Sequence, residues 1–305
     1  MRVKLWGVRG SVPTPGPQTV KYGGNTTCMQ LIGDEEIPIG GEILIVDAGT
    51  GIRECGLSLM GLPKPLKINL LITHTHMDHI NGFPFFVPAF IPGTIINIYG
   101  PVHYEKKLEE VFAGQMDYSY FPISTAQLAA NISFHDLKES EFDIGSLHVQ
   151  SQYMNHPVLT LGYRVSDGEK TFIYTGDHEP YHDFINVDDE EEEDEDDPFD
   201  DIPDIVDQQN QRLLKFFKDA DILVCDAAYT PEEYLTHKGW GHSSTDDAVD
   251  WAIEAGVKKL VLHHHEPTHA DDKMDEMEAY AKKRAKEKGA VDLEVFNGRE
   301  QSVVD

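Results

Sequence analysis

The sequence predicts an α+β fold in which two β-sheets are covered by helices, and three observations carry that expectation. Short apolar β-like segments dominate the first two thirds of the chain, helical periodicity is interspersed among them, and no strict strand-helix alternation marks a doubly wound sheet. A chain of 305 residues with 40% hydrophobic content can bury a full core.

The strand segments, in order, are Val3–Val8, Glu42–Val46, Lys67–Ile72, Ile95–Tyr99, Leu147–Gln152, Thr160–Val165, Thr171–Tyr174, Ile222–Val224 and Lys259–Leu262. Each is rich in β-branched and apolar residues and is bounded by polar turn residues. Helical spacing of apolar residues appears at Lys106–Phe112, Asn210–Lys218, Thr245–Ala255 and Asp271–Lys288. Ser243-Ser244-Thr245-Asp246 opens the third of these with hydroxyls suited to capping free N–H groups. His242 precedes that helix, beside its positive end, where an anion is well handled. No internal repeat is visible.

Composition narrows the function. The chain carries 54 acidic and 25 basic residues, a net charge of −29, which opposes binding to a long polyanion. Ten acids run without interruption over residues 188–197, and Asp200, Asp201, Asp204 and Asp207 follow. Such a block repels itself and buries nothing, so a disordered acidic insert is expected at about 186–208 within a single domain spanning 1–305. Setting those 14 acids aside leaves 40 against 25, so the charge argument does not depend on them. Cys28, Cys55 and Cys225 are odd in number and far apart, which favours a reducing compartment over a disulfide framework. Prolines 84, 88 and 92 interrupt the most apolar stretch, and the first ten residues do not read as a secretory signal. A cytoplasmic protein without a membrane span is expected.

The chemistry centres on residues 73–79, THTHMDH. An apolar strand, KINLLIT, runs directly into His74, His76, Asp78 and His79, placing imidazoles and a carboxylate at a strand end. These donors suit zinc, manganese or iron, and their spacing lets two pairs face two neighbouring ions. Further candidates stand at other strand ends: His156 in MNHP, Asp177 in YTGDH, and His263, His264 and His265 in LVLHHHEP. Each alone reads equally well as an ordinary loop residue; four sets together point to metal. Strand alternation places His263 and His265 on one face and His264 on the other.

Taken in order, IVDAGTG, THTHMDH, NHP, YTGDH and LHHHEP resemble the metallo-β-lactamase superfamily. The resemblance implies an αββα sandwich with a cleft for two divalent ions, zinc or alternatively manganese. It implies that His74, His76 and His156 hold one ion, that Asp78, His79 and a late histidine hold the other, and that Asp177 bridges them. Of the three late histidines it favours His264, with His265 in reserve, and it places Asp47 behind the metal loop as a support. The stretches GVRGSVPTPG, CDAAYT and GHSS resemble the branch that contains RNase Z and small phosphodiesterases. There a carboxylate like Asp226 steadies a histidine like His242, which contacts the scissile phosphate. The sequence departs from the endonucleases at Cys225-Asp226-Ala227-Ala228, where they read HEAT, and it lacks a basic glycine-rich arm. The fuller wording, YGGNTTC, GFPFFVPAF, TGDHEPY and GWGHS, looks most like bacterial and phage cyclic-nucleotide phosphodiesterases, for which a homodimer is implied.

The expected activity is therefore hydrolysis of 3′,5′-cyclic nucleotides to nucleoside monophosphates by a hydroxide between two ions, with Asp78, Asp226 and His242 catalytic. Asp78 would stand between both ions to orient the hydroxide or take its proton, and His242 would stabilise or protonate the leaving oxygen. The partner is a small molecule, not a long nucleic acid. Alternatives are tRNA 3′ processing in the RNase Z manner, thioester or lactam hydrolysis, and a scaffold role for the acidic run. Trp240, Phe85, Tyr118 and Phe121 are candidates for a wall against a nucleobase, with core packing the competing role.

Overall fold

The computed structural model describes residues 1–33, 38–102, 106–182 and 202–305. Among the described residues, two seven-stranded mixed sheets pack face to face and carry helices on their outer faces, an αββα sandwich. The first sheet contains β1 (Arg2–Gly7), β2 (Cys28–Ile32), β3 (Ile43–Val46), β4 (Lys67–Leu71), β5 (Ile95–Pro101) and β6 (Asn131–Leu137), with β14 (Val303–Val304) at its other edge, in the order β14-β1-β2-β3-β4-β5-β6. The second contains β7 (Ser140–Ile144), β8 (Leu147–Met154), β9 (Thr160–Ser166), β10 (Thr171–Tyr174), β11 (Ile222–Asp226), β12 (Lys259–His263) and β13 (Glu294–Asn297), in the order β13-β12-β11-β10-β9-β8-β7.

Each sheet is antiparallel in one half and parallel in the other. Strands β3 to β6 run parallel, as do β10 to β13. The inner parallel strands β3, β4, β10, β11 and β12 are buried on both faces, which is why they read as continuous apolar runs. In β4 and just beyond it, Ile68, Leu70 and Ile72 pack outward under α1 (Ile52–Ser58) and α3 (Leu108–Gln115), while Leu71 points into the space between the sheets. In β11, Leu223 and Cys225 face outward, and Ile222 and Val224 face inward. The outward pair meets Phe217, at the end of α4 (Ile202–Phe217), together with α6 (Thr245–Glu254) and α7 (Asp271–Glu287). The inter-sheet core is filled by Leu5, Met29, Val46, Val149, Tyr163, Phe172 and Val261. A polar strut crosses it: buried Tyr163 on β9 donates its hydroxyl to the Ile72 carbonyl at 2.7 Å.

One expectation changes. Residues 202–208, assigned to the acidic insert, form the first half of α4; Asp204 lies in its first turn, where a carboxylate favours the helix dipole, so acidity there starts a helix rather than preventing one. The acidic run 188–197 lies outside the described residues. The three cysteines are buried and free, and among the described residues no helix is long and apolar enough to cross a membrane.

Candidate metal centre

The site lies where the parallel strands of both sheets end. Strand β4 stops at Leu71, and the chain turns through Thr73 to His76, which sits at the N-terminal cap of the short helix α2 (Met77–Ile80). Asp47, just past β3, is held at φ +59° with its carboxylate pointing under this turn. It accepts from the Thr73 amide at 2.8 Å, from the Thr73 hydroxyl at 2.9 Å, and from His79 Nδ1 at 2.7 Å. Fixing Nδ1 as the protonated nitrogen leaves His79 Nε2 free to face the centre. Asp47 is thus a support, as expected.

Among the described residues, the donors form overlapping sets, each with ligand atoms within 4.8 Å of one another. One comprises His74, His76, His156 and Asp177; a second comprises Asp78, His79, Asp177 and His264. Asp177 divides its two oxygens between them. Its Oδ2 lies 3.3 Å from His74 Nε2 and 3.9 Å from His156 Nε2, while Oδ1 lies 3.1 Å from His79 Nε2 and 3.3 Å from His264 Nε2. Asp78 Oδ2 completes the second set, 3.3 Å from His79 Nε2 and 3.2 Å from His264 Nε2. Asp177 is the carboxylate common to both sets, whereas Asp78 belongs to the second. Buried His74 Nε2, His79 Nε2 and Asp177 Oδ1 make no hydrogen bond, a costly state for buried polar atoms unless a cation is their partner. Imidazole nitrogens and carboxylate oxygens, with no thiolate, fit divalent zinc or manganese.

Burial alone would lower His79 and His264, but the facing carboxylates, Asp177 foremost, hold both well above the ordinary imidazole range. Burial would likewise raise Asp78 and Asp177, yet His79 and His264 keep both carboxyls below the usual range. In the other set, burial lowers His74 and His76 and brings His156 down to about 4, so these imidazoles are neutral and ready to donate a lone pair.

Around this centre, His242 Nδ1 donates to Asp226 Oδ2 at 2.8 Å, and its ring stacks on His264 with centroids 4.5 Å apart. The Asp226 carboxylate is fully buried and also takes the amides of His178, Ala228 and Ser243, which fixes it firmly. His242 Nε2 is left as the ring nitrogen that can meet a ligand. His242, Asp226, Asp177 and His264 themselves form a third potential donor set.

The triple histidine is resolved by backbone geometry. Strand β12 ends at His263, and His264 takes φ +58°, turning its ring into the centre. His263 donates from Nε2 to the Gly7 carbonyl and His265 from Nε2 to the Gly298 carbonyl, so both are structural.

Other contributors carried no readable signal of their own. Ser11, at φ +58°, donates its amide to Asp78 Oδ2 at 2.7 Å. At Gly10 a Cβ would collide with the His264 ring, so only glycine allows that ring its place. Glu179, buried, accepts from the Gly239 and Gly241 amides, and the Gly241 carbonyl in turn accepts from His156 Nδ1 at 2.8 Å. The stretch GVRGS was visible as a motif, but nothing in it specified which atoms touch Asp78 and His264. Of the aromatic candidates, Phe85, Tyr118 and Trp240 are exposed rather than packed in the core, and half-buried Phe121 meets Phe85 edge-on.

Comparison with known proteins fits this picture. Residues 43–195 match the family described as beta-lactamase superfamily domain. Ribonuclease Z of Lactococcus lactis subsp. lactis (strain IL1403) is 30% identical over 238 residues, covering 66% of this chain and 72% of the relative. Among solved structures, human tRNase Z, short form, aligns with a TM-score of 0.63 at 19% identity over 100% of this chain and 99% of that one. Yeast PDE1 aligns with a TM-score of 0.61 at 16% identity over 99% and 98%. At these identities the two structures share the fold.

Proposed function

Because the chain belongs to the beta-lactamase superfamily, as a metal-dependent hydrolase of metallo-β-lactamase fold related to ribonuclease Z, we propose that it is a two-metal phosphodiesterase acting on 3′,5′-cyclic nucleotides. The observation that carries this reading is Asp177, whose two oxygens each face a separate histidine set beside a carboxylate-anchored His242. In it, His74, His76 and His156 would hold one ion and Asp78, His79 and His264 the other, with Asp177 available to both. When bound, two divalent cations such as zinc or manganese acidify a water and neutralise phosphoryl oxygens.

The residues then divide the work. Asp78, steadied by the Ser11 amide on its Oδ2, orients the attacking water, whose proton passes to solvent. The water oxygen bonds to phosphorus as the bond to the ribose oxygen breaks, and His242 delivers a proton to that leaving oxygen. Asp226, bonded to Nδ1, turns Nε2 toward the leaving oxygen and stabilises the imidazolium form of His242 that this proton delivery requires.

Charge supports a small substrate: a cyclic nucleotide carries one negative charge, whereas a tRNA would bring many toward a chain with net charge −29. The second reading, tRNA 3′ processing, is favoured by the ribonuclease Z relatives. Purified protein given zinc or manganese should hydrolyse cyclic mononucleotides faster than it removes a pre-tRNA 3′ trailer, with both compared against bis-p-nitrophenyl phosphate. Trailer cleavage at a comparable rate would put the second reading first. We further infer a cytoplasmic homodimer built from a single domain, which light scattering can test for subunit number.

A further inference from the structure

We propose that Trp240 is the stacking platform that selects a nucleobase-bearing substrate, and that Glu179 is the latch that positions it; the inference rests on the phosphodiesterase reading above. Trp240 is 59% exposed, while the other two tryptophans, Trp6 and Trp251, are only 6% and 7% exposed. An indole so open to water needs a reason, and its backbone is not loose. It stands between Gly239 and Gly241, at φ +83° and +85°, conformations that favour glycine, and both their amides are held by the one buried Glu179 carboxylate at 2.8 Å. Glu179 also accepts from the Tyr234 hydroxyl at 2.8 Å.

The same loop is bound to the metal centre at two points. The Gly241 carbonyl orients His156, and His242 follows directly. A ladder of rings links the indole to that histidine: Trp240 meets His237 edge-on at 4.7 Å, His237 stacks on Tyr229 at 4.5 Å, and Tyr229 meets His242 edge-on at 6.2 Å. The indole is therefore braced against His237 while most of it stays open to solvent, two residues from the group that handles the leaving oxygen. An apolar, π-rich face at a fixed offset from a phosphoryl site suits a planar base, and stacking tolerates purines and pyrimidines alike. A phosphodiester without a base gains nothing from it.

The test compares wild type, Trp240→Ala, Trp240→Phe and Glu179→Gln as metal-loaded proteins. With a cyclic nucleotide, Trp240→Ala should raise KM about ten-fold or more with a smaller change in kcat, and Trp240→Phe should recover most of the loss. Glu179→Gln, which puts an NH2 against a glycine amide, should raise KM in the same direction, since it frees the loop without removing the ring. A second readout needs no turnover. Because Trp240 is the exposed tryptophan, 5′-AMP should quench the long-wavelength edge of wild-type fluorescence and ribose 5-phosphate should not, and Trp240→Phe should lose the quench. A KM for Trp240→Ala within two-fold of wild type, or equal quenching by the two ligands, would overturn the platform while leaving cyclic-nucleotide hydrolysis intact. Failure of the wild type to turn over any cyclic nucleotide would overturn the reading beneath it.

Discussion

Replacing Asp47 by asparagine should weaken one of the two metal affinities that the proposed centre implies, and the structure sets the size of the effect. The amide side chain of the Asp47→Asn variant keeps an oxygen for the Thr73 amide, now bonded at 2.8 Å, but places an NH2 group where Oδ2 now receives His79 Nδ1 at 2.7 Å. Two donors cannot face each other, so His79 moves its proton to Nε2, the nitrogen aimed at Asp177 and Asp78. Losing a hydrogen bond to a charged group in a buried site costs roughly 1.5–3 kcal/mol. Removing a partner that orients a metal-binding histidine lowers affinity about 10–100-fold, or about 1.4–2.7 kcal/mol, and the two figures agree. The set containing His79 should suffer most, because the Asp47 carboxylate bonds to His79 directly and reaches His74 only through the Thr73 hydroxyl, 3.2 Å from His74 Nδ1. Competition of the Asp47→Asn protein with a chromophoric chelator for zinc should resolve two affinities, one weakened by that factor and one within about three-fold of wild type. Two unaltered affinities would refute the support role assigned to Asp47.

Chelation of the wild type should lower the thermal midpoint, and added zinc should restore it; each site adds about 2.7 kcal/mol when the ion stands at one hundred times its Kd, and a midpoint indifferent to chelator would contradict the two-metal centre. His242→Ala should cut kcat by about 10²–10⁴-fold with metal content retained, as measured by elemental analysis beside turnover, and a near-normal kcat would remove His242 from proton transfer. Tyr163→Phe should cost about 1–2 kcal/mol of unfolding free energy in urea, since the buried Ile72 carbonyl loses its donor. Burial and the bond to Asp275 push the Tyr22 hydroxyl from 10 up to about 12, so the folded state keeps a proton that the unfolded chain loses. That stability is present below pH 10 and lost as pH rises toward 12; urea midpoints across this window should fall more steeply for wild type than for Tyr22→Phe.

Much of this protein was legible because its inner parallel strands are buried on both faces. Lys67–Ile72, Thr171–Tyr174 and Lys259–Leu262 read as apolar runs and lie within a residue of β4, β10 and β12. Strand β2 was missed because its five buried residues follow a glycine- and threonine-rich stretch, and β6 and β7 because edge strands carry polar residues toward solvent. The start of α4 was hidden by its acids.

The sequence by itself determined the chemistry of the centre: imidazoles and carboxylates at strand ends advertise metal because few other roles suit so many buried polar groups. How they are grouped could not be read from spacing: the resemblance implied it, and the geometry that brings the donors together is tertiary. Strand alternation could not choose among His263, His264 and His265, since β12 ends at the first of them and a left-handed turn at the second aims its ring inward. Nor could spacing show that Asp177, and not Asp78, serves both sets, or that Ser11, Gly10 and Glu179 hold the ligands and the exposed Trp240 in place. Those contacts join residues from opposite ends of the chain, as between Gly10 and His264, and depend on backbone amides, ring clearance and loop conformation, which side-chain identity does not encode.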